Sequence, residues 1–152
     1  MKNTPLLLLI LIISNICFAS EPVSKSYFGG LAIEGHDTVA YHSAEVRSSH
    51  NELVGKKAFT VEWGGAEWRF SSQASAEKFA ADPSQYKPEY NGHCSNALSL
   101  GEGLVRTDGT VWEFFGDKLH LFYAEHGRQR WLNGNWETYK QQADKAWQEI
   151  TR

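Results

Sequence analysis

The sequence predicts an α+β fold, with small antiparallel hairpins packed against short helices and a C-terminal amphipathic helix in a single domain. Three observations predict it. In AFTVEW the apolar Phe59, Val61 and Trp63 alternate with Thr60 and Glu62, the partner EWRF offers Trp68 and Phe70, and Gly64-Gly65 supplies the positive φ of a tight hairpin. A second hairpin reads as VWEFF and KLHLFY around Gly116-Asp117. Near the end, Trp136, Tyr139, Ala143, Trp147 and Ile150 recur at helical spacing, a stripe that reads as core. Hairpins interleaved with helices argue against a parallel sheet, which needs crossover units.

In chain order, Lys2, the apolar run Leu6–Ile13 and the small residues Cys17 and Ala19 have the pattern of a secretory signal peptide over 1–19. The apolar run is shorter than the roughly 20 residues that span a bilayer. Its removal implies an exported product, periplasmic or secreted, with no stable membrane span. Losing Lys2 with it leaves 14 basic against 18 acidic side chains, a formal charge of −4. Such a chain lacks the clustered basic surface of a nucleic-acid binder. Its two cysteines reduce to one, because Cys17 leaves with the signal. Cys94 is then a single thiol in an oxidising compartment, buried and inert, paired with another molecule, or chemically employed.

Residues 20–30 read as a loose leader before a domain over 31–150. LAIEGHDTVAYH reads as a short strand or extended segment after the Gly35 turn, followed by a polar loop. Ser72 is placed to cap a helix through SQASAEKFAAD that Pro83 ends. Asn91-Gly92 breaks the chain before a short helix in HCSNALSL, closed by Gly101. No internal repeat is evident. Gly101-Glu102-Gly103 follows a helix rather than opening one, so it reads as a stop and not a phosphate loop. Asp108, Glu113, Glu125 and His126 read as ordinary surface residues.

The stretch DTVAY…EWGGAEWRFSSQASAEKFAADPSQY resembles the YHS domain, a short metal-associated module, through Asp37, Val39, Gly65, Phe70, Ser72, Phe79, Asp82, Pro83 and Tyr86. More broadly, residues 31–147 are similar to exported bacterial proteins of this group, with GHDTVAY at the front and NGHCSNAL after the module. The thiolate positions of metal-binding members fall here on Ala40, Ser71 and Ser75, none of which holds a soft metal. The resemblance therefore implies a frame held by aromatic packing, with Ser72 ranked above Ser71 and Ser75 in its contribution to stability.

The resemblance also places His36, His93 and His120 where exported relatives carry an aromatic residue. Cys94 with two of these histidines would make a soft nitrogen and sulfur set suited to copper or zinc. On this reading the protein is non-catalytic and handles a transition metal through Cys94, His93, His36 and His120. A second reading is a metal-free module that binds a small ligand or partner protein in an aromatic pocket, drawing on Trp112, Phe114, Phe115, Phe122, Tyr123 and Trp131. A third is a redox enzyme working through the Cys94 thiol. No spacing singles out the base and orienting group that a cysteine nucleophile needs.

Overall fold

The structure, a computed structural model, describes residues 20–152; the signal peptide expected over 1–19 lies outside the described residues. Two antiparallel hairpins and six helices form a single α+β domain. Strands β1 (Lys56–Trp63) and β2 (Ala66–Phe70) close at Trp63↔Ala66. Gly64 and Gly65, at φ 60° and 72°, make the turn that only residues tolerant of left-handed backbone form cheaply. β3 (Trp112–Phe115) and β4 (Lys118–Leu121) make the second hairpin. The helices are α1 (Ala44–Ser49), α2 (Gln73–Ala81), α3 (Pro83–Tyr86), α4 (Ser95–Ser99), α5 (Glu125–Asn133) and α6 (Trp136–Ile150). Among the described residues no helix is long and apolar enough to cross a membrane.

Two apolar clusters fill the interior. Ile33, Tyr41, Trp68, Phe70, Phe79 and Trp112 belong to one, and Tyr90, Leu98, Phe115, Phe122, Trp131 and Ala143 to the other. The second hairpin is their seam. Alternation along its strands sends Trp112, Leu119 and Leu121 into the first cluster and Phe115 into the second. The aromatic surplus expected to line a pocket is consumed here: Trp112, Phe115, Phe122 and Trp131 are buried, Phe114 is half-buried, and only Tyr123 stands out in solvent. Each buried large side chain contributes roughly 1.5–3 kcal/mol.

The structure corrects several sequence expectations. The leader is not loose: Ser24 is fully buried, its N–H donates to the Asn91 carbonyl, and its Oγ accepts from Thr107 N–H. GHDTVAY is no strand but two 3-10 turns, Ile33–Gly35 and Ala40–His42, with the Asp37 carboxylate accepting from the N–H groups of Val39 and Ala40. Pro83 does not merely end α2; it opens α3, capped by the Asp82 side chain. Ile150 is 42 % exposed, so the α6 stripe fades at its last member.

The domain is also a duplication. Ile33-Glu34-Gly35 and Tyr90-Asn91-Gly92 form twin left-handed turns, all six residues having positive φ between 42° and 87°. Each turn leads into a histidine whose Nδ1 bonds the carbonyl three residues back, His36 to Ile33 at 3.2 Å and His93 to Tyr90 at 3.0 Å. Next comes an acceptor, Asp37 or Cys94, that takes the N–H three residues on, from Ala40 or Ala97. A hairpin follows in both copies, and just beyond it Ser71, one residue past β2, or Tyr123, two past β4, donates its N–H to that same acceptor. The following caps share one backbone conformation, Ser72 at φ −149°, ψ 161° and Ala124 at φ −151°, ψ 159°. Each copy ends on a second capped helix, after Asp82 or Asn135. The pairs Phe70/Phe122, Ser71/Tyr123 and Phe79/Trp131 share a separation of 52 residues.

Candidate functional site

Cys94 sits at the N-cap of α4 because its sulfur stands where the first copy has a carboxylate. Sγ accepts N–H bonds from Ala97 at 3.5 Å and from Tyr123 at 3.2 Å, the latter tying the end of the second hairpin to α4. The residue is 4 % exposed, at the floor of a pocket of about 120 Å3 also lined by Glu102, Val105, Tyr123 and His126. A thiol this covered reacts only as fast as the structure opens. Alkylation of the native protein at neutral pH is expected to run at least about tenfold slower than that of the denatured chain; equal rates would show an accessible thiol.

The histidines expected to join Cys94 have separate environments. His93 is buried, and burial lowers its pKa against the opposing pull of the Tyr90 carbonyl. His120, on β4, is fully buried among the rings of Tyr90, Phe115 and Trp131, with Nδ1 at 3.0 Å from Ser95 Oγ. Desolvation drives its pKa down to about 3, with Lys140 adding to the shift. His36 belongs to the first copy and lies so close to Gly109 that a Cβ there would meet its Nδ1 at 2.8 Å. Among the described residues no three His, Cys, Asp or Glu side chains come together to hold a metal ion. Cys94, His93, His36 and His120 therefore do not form one ligand set in this fold.

Ser71, Ser72 and Ser75 all take part in hydrogen bonds that hold the end of the first hairpin and the start of α2. Ser71 donates both its N–H, at 2.8 Å, and its hydroxyl, at 2.6 Å, to Asp37 Oδ2. Asp37 is fully buried and its other oxygen serves Val39 and Ala40, so one carboxylate joins the front turn to the end of the first hairpin. Ser72 Oγ accepts from Ser75 N–H, the expected cap of α2. Ala40 and Ser75 are left lining an open cleft of about 460 Å3, together with His42, Ser43, Lys78 and Gln85.

The second copy has its counterpart, the pocket below Cys94, in which Ala97 and Gly127 occupy the places of Ala40 and Ser75. There Arg130, 52 residues beyond Lys78, is satisfied internally. Its guanidinium donates to Asn96 Oδ1 at 2.9 Å and Ser99 Oγ at 3.0 Å, and lies 3.7 Å over the Tyr139 ring.

Two further surface features were not legible in the sequence. A cleft of about 510 Å3 runs between Tyr27 and Tyr123, but its Arg106 already stacks on Tyr27 at 4.1 Å and approaches Glu34 at 3.6 Å. Glu113, expected to be ordinary surface, accepts from Arg128 Nη2 at 2.8 Å and lies 3.3 Å from His50 Nε2, joining α1, β3 and α5. No family model matches the chain, and neither a curated protein nor a solved structure matches it.

Proposed function

We propose that the protein is an exported, non-catalytic binding module of the YHS-like class, in which two of the three positions that would carry thiolates, Ala40 and Ser75, line a cleft for a small ligand and metal plays no part in binding. One observation carries this reading. The duplicated copies differ at this place: the second keeps a pocket of about 120 Å3 and its Arg130 donates to Asn96 and Ser99, whereas the first has a cleft of about 460 Å3 lined by Lys78, which among the described residues has no hydrogen-bond or ion-pair partner. The separation of Cys94 from His36, and the engagement of His93 and His120 within the core, favour this reading over copper or zinc handling through those residues. Burial of Cys94 favours it over thiol redox chemistry.

The test is shift mapping by amide NMR on the mature protein with a library of small polar and aromatic compounds. The reading expects binders to move the amides of Val39–Ser43 and Ser75–Lys78 together. Responses confined to the Tyr27–Tyr123 groove, or to the pocket at Cys94, would place the site elsewhere and overturn it.

A further inference from the structure

The charges around this cleft are one-sided. Lys78 lines it, and Arg47 lies with its guanidinium 3.9 Å from the centre of the Phe114 ring, itself 5.2 Å from the His42 ring. Lys118 opens β4 and, with Arg47, is close enough to His42 to disfavour its protonation, after burial as the main cause. Lys87 follows Tyr86, whose ring packs edge-on against His42 at 5.4 Å, and it has Glu21 and Glu89 in its wider surroundings. Among the described residues Arg47, Lys78, Lys87 and Lys118 form no ion pair; Lys25, Lys56, Lys57, Arg130, Lys145 and Arg152 form none either, so these four are set apart by their place about the cleft. Lys78 lines the cleft, and Arg47 and Lys118 lie near its His42, in a chain whose formal charge is −3.

The neutral groups of the cleft suit the same partner. Ser43 and Ser75 present hydroxyls and Gln85 an amide, groups that donate to an oxyanion. His42 lines the cleft with its ring packed edge-on between Tyr86 and Phe114, and among the described residues its buried Nε2 has no partner. An unpartnered imidazole nitrogen can accept the O–H of a singly protonated phosphate or donate to one of its oxygens, according to its tautomer. The second copy acts as an internal control: where Arg130 has its own acceptors, in Asn96 and Ser99, no external one is needed.

We infer that the cleft formed by Ala40, His42, Ser43, Ser75 and Lys78 binds a phosphate group, with Lys78 and Arg47 as its principal cationic contacts and Lys118 adding to the local field. The inference rests on the proposed function in using the same cleft, and it adds the chemical class of the ligand. The phosphate belongs to a free small anion or to an anionic lipid headgroup, and the arms of the experiment separate the two.

Mature protein is titrated with inorganic phosphate by calorimetry at low ionic strength, and separately sedimented with phosphatidylglycerol vesicles. Saturable binding is expected in one arm. Lys78→Gln and Arg47→Gln should each weaken it by about tenfold or more, as loss of a hydrogen bond to a charged group does. Lys145→Gln, on the exposed side of α6, should leave it unchanged, and Lys78→Gln and Lys145→Gln should keep the parent's unfolding midpoint because both residues are exposed, while Arg47→Gln also gives up the stacking on Phe114 and should lower it only slightly. Saturation by phosphate identifies a free anion, and sedimentation without it a lipid headgroup. No binding in either arm, or binding that Lys78→Gln and Arg47→Gln leave intact, overturns the inference. If neutral compounds still map to the cleft in that event, the ligand class falls while the proposed function stands.

Discussion

Asp37→Ala is expected to be among the most damaging substitutions in the domain, lowering stability by about 3 kcal/mol or more, because it strands several buried donors at once. The fully buried carboxylate takes N–H bonds from Val39, Ala40 and Ser71 and the Ser71 hydroxyl at 2.6 Å. Truncation strands these donors, at a penalty of about 1–3 kcal/mol for each that water does not reach. Ser71→Ala removes one charge-assisted bond, about 1.5–3 kcal/mol. Ser72→Ala removes a helix cap, about 0.5–2 kcal/mol. The order Asp37, Ser71, Ser72 reverses the ranking that put Ser72 above Ser71. Urea unfolding of the three variants measures it; an Asp37→Ala loss below about 0.5 kcal/mol, the range of unremarkable surface changes, would show that the carboxylate joins nothing.

Acidification is expected to destabilise the domain strongly through His120. Its native pKa of about 3 lies well below the ordinary 6.5 of the unfolded chain. The unfolded state therefore binds a proton at a pH where the native state does not. The contribution is fully present above pH 6.5 and is lost as pH falls toward 3, at about 1.4 kcal/mol per pH unit. Roughly 3 kcal/mol should be lost between pH 6.5 and pH 4. His93 and His42 have pKa values lowered mainly by burial, so they act in the same direction. His120→Gln should flatten the stability profile between pH 6 and 4 by comparison with the parent, whatever its effect at pH 7. A variant as acid-sensitive as the parent would remove His120 as the cause.

What the sequence made legible was local. Gly64-Gly65 and Gly116-Asp117 announce their hairpins within a few residues, and the α6 stripe declares its buried face because three of its members are large aromatics. The Ser72 cap is local too. Helices α1 and α5 are not legible in this way: α5 buries only Gly127 and Trp131, which is too little to make a periodic stripe. The aromatic residues read as a pocket lining pack instead into two clusters that share a hairpin between them, with Tyr123 alone of the six left exposed.

The site was illegible for a different reason. The Asp37–Ser71 bond crosses 34 residues and the Cys94–Tyr123 bond 29, so no short motif encodes either. The duplication hides because its matching places are filled by unlike residues, Asp37 with Cys94, Ser71 with Tyr123 and Lys78 with Arg130; the backbone conformation and bond pattern are kept while the chemistry changes. That divergence is why GHD and GHC could not be read as two versions of one turn.

The central claim is that the frame around Ala40, Ser71 and Ser75 is held by the Asp37 carboxylate and aromatic packing rather than by a metal ion. Thermal unfolding of residues 20–152, purified without an affinity tag and measured with and without a strong chelator, tests it most directly. The account predicts one cooperative transition whose midpoint the chelator does not move. A midpoint that drops by many degrees, or loss of the folded state as expected when a structural metal is stripped, would contradict it.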